Sequence, residues 1–137
     1  MRVSPIYKTS QLITCSVLLE GRQEEFFVSF VYASNFAAER KDLWSDIKYH
    51  HDSPLFYNKA WLICGDFNEI LEGEDHSLYE SSPFVLQGMR DFQDLIRHCE
   101  LTDMSYQGQR YTWCNKRKEG VICKKLDRVL ISKQWMQ

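Results

Sequence analysis

The run EFFVSFVYAS, Glu25 to Ser34, is apolar on both of its faces. Side chains alternate along extended backbone, so Phe26, Val28, Phe30 and Tyr32 share one side and Phe27, Val31 and Ala33 the other. A strand with two apolar faces needs cover on both. It is therefore expected inside a sandwich or a layered α/β protein, and not in a sheet open to water. The upstream run QLITCSVLLEG reads as its neighbour, joined to it around Gly21-Arg22-Gln23.

Further elements follow in alternation. Ser34 and Asn35 are capping types, and Phe36, Leu43, Trp44 and Ile47 recur beyond them at helical spacing, which predicts a helix reaching YHHDSP. His50 and His51 at its end are read as solvent-facing and without a role. AWLICGDF is a short apolar run stopped by a Gly-Asp turn, a buried strand ending at Gly65. LQGMRDFQDLIRHCE places Met89, Phe92, Leu95, Ile96 and Cys99 on one stripe, an amphipathic core helix. YTWCN and VICKKLDRVLIS read as strands joined by KRKEG.

Charge and cysteine narrow the class. A formal charge of -2 argues against a protein that holds nucleic acid by bulk basicity. The distribution says more: the segment from Asp66 to Glu80 is purely acidic, while Arg110 to Arg128 is strongly basic, either a phosphate-facing loop or a solvated hairpin tip. The five cysteines are scattered without a Cys-x-x-Cys pair, and are expected to be reduced and mostly buried. No apolar run is long enough for a bilayer and no signal-peptide core is present, so a nuclear or cytoplasmic location is expected.

Asp66 and Asn68 carry the chemistry. They stand where a buried strand ends, the place at which layered α/β proteins gather ligand groups. An Asp can hold or deprotonate a water or bind a metal, and an Asn amide can bond a phosphate oxygen without adding a repelling charge. Gly65 would let a substrate approach the backbone. Gly, Asp and Asn are also common turn formers, so GDFN alone has a purely structural reading.

The ordered set VYASN, GDFNEIL, LTDMSYQGQRYTWCN and LDRVLIS resembles the endonuclease/exonuclease/phosphatase (DNase I-like) family, in particular the endonuclease domains of plant non-LTR retrotransposons. The likeness runs from about Gln11 to Trp135. It implies a single partial domain over residues 1–137, with the four-layered α/β sandwich of that family, two β-sheets flanked by helices. It also implies a Mg²⁺-dependent phosphodiesterase acting on DNA. Residue by residue, Tyr32 matches a tyrosine that contacts the scissile phosphate, and Asn35 lies where a further polar group lines the site. Asp66 matches the aspartate that orients or deprotonates the attacking water and could hold metal; Asn68 matches the asparagine that holds the phosphate in the transition state. Asp127 matches the aspartate that orients a catalytic histidine. Tyr111 and Trp113 match a core hairpin and are read as packing.

The resemblance also implies what the chain lacks. The family's metal-binding glutamate lies before the matched segment and its catalytic histidine after it, so impaired catalysis is expected. Two alternatives stand beside that reading: a non-catalytic interaction or structural fragment, and a phosphatase-type member of the same superfamily.

Overall fold

The computed structural model describes residues 1–21, 24–78, 87–104, 111–117 and 119–136. Arg22, Gln23, Glu80, Arg110 and Lys118, which figured in the turn and charge readings, lie outside the described residues. The chain runs through β1 (Arg2–Lys8), β2 (Leu12–Leu18), β3 (Glu25–Tyr32), α1 (Ala37–Asp52) and β4 (Trp61–Asp66). It continues through α2 (Gln87–His98), β5 (Thr102–Asp103), β6 (Trp113–Cys114), β7 (Cys123–Lys124) and β8 (Asp127–Ile131).

A six-stranded sheet has the order β1-β2-β3-β4-β8-β5, and β6 with β7 forms a second, two-stranded sheet. Among the described residues only β3 and β4 pair in parallel, and α1 is the crossover between them. Their C-terminal ends therefore emerge side by side, at Tyr32 and Asp66. The sheet's Leu12, Phe27, Val31, Trp61, Ile63 and Leu130 pack in one core with Leu43, Trp44 and Ile47 of α1 and Phe92 and Leu95 of α2. Trp44 stacks on Phe92 at 4.9 Å, which ties the two helices together above the sheet.

This is the expected α/β architecture, with several differences of physical interest. Cover on both faces of β3 was expected, yet Phe30 is 52% and Tyr32 77% exposed. Both helices sit on the Phe27–Val31 side, so the opposite apolar face finds less cover among the described residues. β1 has no counterpart in the sequence reading, because it is an edge strand, mostly exposed, with a bulge between Pro5 and Tyr7; neither face imposes a pattern. At the start of α1 the residue flanking the helix is Phe36, which is exposed and not part of the buried stripe. Ser34 Oγ accepts from the Phe36 N–H, while the Asn35 side chain is engaged elsewhere. The run VICKKLDRVLIS divides between the two sheets, with buried Lys125 and Leu126 at the passage.

The cysteine expectation is corrected in part. Cys114 and Cys123 face each other across the β6–β7 ladder, Cα atoms 4.1 Å apart, and form a disulfide. That close spacing suits directly opposed residues in an antiparallel pair, a relation that sequence separation alone does not reveal. Cys15, Cys64 and Cys99 are free, with Cys15 and Cys99 buried.

His50 is likewise not solvent-facing but buried between α1 and the sheet. Its Nδ1 lies 2.7 Å from the Asp46 carbonyl oxygen and must donate to it. In the neutral ring Nε2 then accepts from Thr14 Oγ1 at 2.9 Å, Thr14 accepts from Ser29 Oγ at 2.8 Å, and Ser29 accepts from Trp61 Nε1 at 2.9 Å. Every donor in this buried chain is matched, but only while His50 is neutral. Burial lowers its pKa below the ordinary value, against the opposing pull of Asp46. The unfolded chain therefore takes up a proton first as pH falls, and His50's contribution to stability, complete above about pH 6.5, is lost below it. His50→Gln should show a smaller drop in urea midpoint than the native chain between pH 7 and pH 5, and equal drops would remove His50 from the acid response.

Candidate active site

Tyr32 lies opposite Asp66 in the β3–β4 register, and Asp66 lies opposite Asp127 in the β4–β8 register. Cross-strand partners project from the same face, so the three side chains stand in one row at the end of the sheet. Tyr32 is exposed and available at this row, not buried in the core.

Beyond Asp66 the chain is anchored and then turned. Phe67 is buried, and its N–H donates to the Leu126 carbonyl at 2.9 Å. Asn68 adopts φ 53°, a left-handed conformation that Asn tolerates, and its N–H donates to Asp66 Oδ1 at 2.8 Å. The Asn68 amide reaches back across the gap between loops, where Nδ2 donates to Asn35 Oδ1 at 2.6 Å and to the Ala33 carbonyl at 3.3 Å. Asp66, Asn68, Tyr32, Asp127 and Asn35 are thus brought to one end of the sheet by two loops and one rung. The Asn68 amide donors are already spent on protein acceptors, so a phosphate oxygen would have to displace Asn35.

Gly65 serves a different purpose from the one expected. With φ at 135°, a Cβ there would lie 2.0 Å from the Val31 carbonyl oxygen. It admits the neighbouring strand, not a substrate.

Asp66 is partly buried, and desolvation raises its pKa; the Asn68 N–H opposes that, Asp127 adds to it, and Arg40 opposes it. Asp66 and Asp127 form an acidic pair on adjacent strands, suited to hold or accept a proton from a water at the sheet end. No histidine bonds to Asp127 among the described residues, and its chain neighbour Arg128 turns the other way, toward Asp75 and Asp103.

The acidic loop is not a solvated surface run. Glu69 is buried in an ion pair with Arg40, Nη2 to Oε2 at 2.9 Å, and Asp75 in another with Arg128. Asp75 Oδ2 also accepts from the N–H groups of Leu71 and Glu72. These carboxylates are committed to closing the loop. Among the described residues, no group of three or more His, Cys, Asp or Glu could hold a metal ion. Asp66, one of its oxygens already bonded, and Asp127 are two carboxylates, and Mg²⁺ held by so few protein ligands would depend on waters and a substrate phosphate to complete its octahedron, so the described residues alone would hold it weakly.

The basic segment divides in the same way. Lys125 and Arg128 are buried, whereas Lys116 and Arg117 are exposed on the β6–β7 hairpin. Trp113 is 44% exposed with Lys124 Nζ 5.6 Å from its ring, so the hairpin is not the packed core element expected of it. Sequence reasoning missed Arg40 and Arg128. Arg40 did leave a signal, since it occupies the same helical stripe as Leu43, Trp44 and Ile47 and had to be buried with them.

The helix-covered mixed sheet, the second small sheet and the polar row at the strand ends define a DNase I-like α/β fold. No protein-family model and no curated protein sequence matches the chain. Among solved structures, it is similar to the endonuclease domain of TRAS1, a telomere-specific non-LTR retrotransposon, with TM-score 0.73 and 11% identity over 98% of this chain and 57% of that one. It is also similar to a Staphylococcus aureus beta toxin mutant with bound magnesium ions, with TM-score 0.55 and 18% identity over 93% of this chain and 43% of that one. A third is D. rerio TDP2 complexed with single-strand DNA product, with TM-score 0.50 and 16% identity over 96% of this chain and 52% of that one. The chain therefore spans about half the length of these structures.

Gly65→Ala tests the close approach of the two strands. Backbone strain of about 1–3 kcal/mol is expected from the conformation alone, and the contact with Val31 adds to it. The variant should show a clearly lower melting temperature and an altered amide environment at Asp66; an unchanged melt would mean that the strands part freely.

Proposed function

We propose that the chain carries the phosphate-facing part of a phosphodiesterase site of the DNA endonuclease type, retroelement-derived, and that hydrolysis by these 137 residues alone is severely impaired. The observation that supports it is the row Tyr32–Asp66–Asp127 with Asn68 and Asn35 at its end. Asp66 is suited to orient or deprotonate a water, Tyr32 and, once the Asn35–Asn68 bond opens, the two asparagines to bond phosphate oxygens, and DNA is the partner that the family resemblance implies. The similar structures, an endonuclease domain and a complex with single-strand DNA product, agree with that choice.

Impairment follows from the donor set. Mg²⁺ would supply charge stabilisation to a phosphodiester in such a site, and among the described residues two carboxylates, with no third acidic or imidazole group beside them, would hold it there. Among the described residues, no imidazole is bonded to Asp127. Loss of members of a catalytic unit typically lowers rates by about three or more orders of magnitude. A second reading, a non-catalytic interaction or structural fragment, is favoured by the Asn68 amide, whose donors are already bonded to Asn35 and Ala33.

The test is nicking of supercoiled plasmid by the purified chain, with Mg²⁺ and with EDTA. Only trace Mg²⁺-dependent nicking is expected, abolished by Asp66→Ala and by Asn68→Ala and retained by His51→Ala. Equal activity in all variants would remove the proposed site. Rapid, EDTA-sensitive nicking would overturn the impairment, and complete inactivity of a folded sample would leave the non-catalytic reading.

A further inference from the structure

Arg40 is only 7% exposed, although it carries a full charge on a helical stripe that otherwise holds Leu43, Trp44 and Ile47. A buried ion pair of this kind is seldom a net gain in stability over apolar residues of similar volume. Its Nε has no hydrogen-bond partner among the described residues, so the pair is not fully satisfied by them. Stability does not explain why an arginine stands there.

Its bonds do. Nη1 donates to the Ser34 and Asn35 carbonyls, each at 3.0 Å, and Nη2 donates to Glu69 Oε2 at 2.9 Å. Asn35 and Glu69 lie on the two loops that carry the site, and Glu69 directly follows Asn68. The connection closes into a ring, from Arg40 to the Asn35 backbone, through the Asn35 side chain to Asn68, along the chain to Glu69 and back to Arg40. The carboxylate is itself fixed: Glu69 Oε1 accepts from the Ile70 N–H at 3.0 Å, and Gly88 of α2 lies so near that a Cβ there would sit 2.1 Å from Oε2.

We propose that Arg40, acting through Glu69, is a positioning residue that fixes the spacing of the two site loops and so holds the Asn35–Asn68 amide pair beside Asp66. The inference rests on the proposed phosphodiesterase reading for its functional meaning, but its geometry can be tested without activity. A guanidinium fork can serve two carbonyls and a carboxylate at once, whereas a lysine ammonium is a compact point donor on a longer, freer stem. Arg40→Lys should therefore fail to substitute, and Glu69→Gln should fail as well, because Oε2 and Oε1 both accept and an amide keeps only one acceptor oxygen.

The experiment is ¹⁵N-correlated NMR of the Asn35 and Asn68 side-chain amides, beside urea unfolding, in the native chain, Arg40→Lys, Glu69→Gln and the double variant Arg40→Met with Glu69→Met. The expected result is a shift of the Asn68 amide resonances and loss of their protection from solvent exchange in Arg40→Lys and in the double variant. Glu69→Gln should shift the same resonances, since it cannot accept from both Arg40 and the Ile70 N–H, and the double variant should keep its urea midpoint. Native-like Asn68 resonances in a folded Arg40→Lys or double variant would overturn the proposal. Should the double variant not fold, Arg40→Lys and Glu69→Gln still decide it. A failure of plasmid nicking in the native chain would touch the functional reading alone and leave this geometric result standing.

Discussion

The approach of β4 to β3 at Gly65 is the constraint on which the site depends. A side chain there would strike the Val31 carbonyl, and the two strands could not pair in parallel to their ends. With the strands together, Tyr32 and Asp66 stand side by side, and β8 on the other flank adds Asp127 to the same rung. Nothing in this row requires a long-range contact beyond ordinary sheet register. It is the cheapest way to gather groups from three distant parts of the sequence, because backbone hydrogen bonds needed for folding also set the spacing of the polar side chains.

The loops beyond the strands have no such ladder, and the chain holds them by buried charge. Arg40 ties the loop after β3 to the loop after β4, and Arg128 ties Asp75 to Asp103 on the other side of β8. Both arginines reach acids of the run that follows the GDFN turn. Two acids of that run, Glu69 and Asp75, are therefore accounted for by partners elsewhere, on α1 and β8. Each ion pair is buried, so removing one partner would strand the other in a medium of low polarity, and the loops are fixed more firmly than exposed salt bridges could fix them.

How much of this could be read beforehand differs by element, for physical reasons. The stripes of α1 and α2 and the buried run ending in GDF were legible, because Leu43, Trp44 and Ile47, or Met89, Phe92 and Leu95, follow the period of a helix against a core. β1 was not, since an exposed edge strand has no face to pattern. His50 was read as exposed because a histidine's burial depends on whether a hydroxyl and a carbonyl await both ring nitrogens, and here Thr14 and Asp46 do. The pairing of Cys114 with Cys123 depends on hairpin register. Of the site, the side chains Tyr32, Asp66, Asn68 and Asp127 were visible through their resemblance to a family, while the groups that hold them, Arg40, Glu69 and the Val31 carbonyl, belong to tertiary packing.

The two-faced pattern of β3 also carries an argument about the other side of the sheet. Phe26, Val28, Phe30 and Tyr32 alternate with residues that are deep in the core, and their neighbours Ile13 and Val129 continue the apolar surface across β2 and β8. Among the described residues this band is only partly covered: Phe26 meets the Trp135 ring edge-on, while Phe30 and Tyr32 stand mostly exposed. In a sandwich the same residues become the inner face of a second core, with sheets about 10 Å apart. The polar row at the end of this band would then lie at the rim between two layers, where a side chain is supported on one side and open to a ligand on the other. Apolar patterning in the middle of β3 and the polar row at its end are thus one design: the strand that most needs cover from a second layer is also the one that delivers Tyr32 to the edge of that layer.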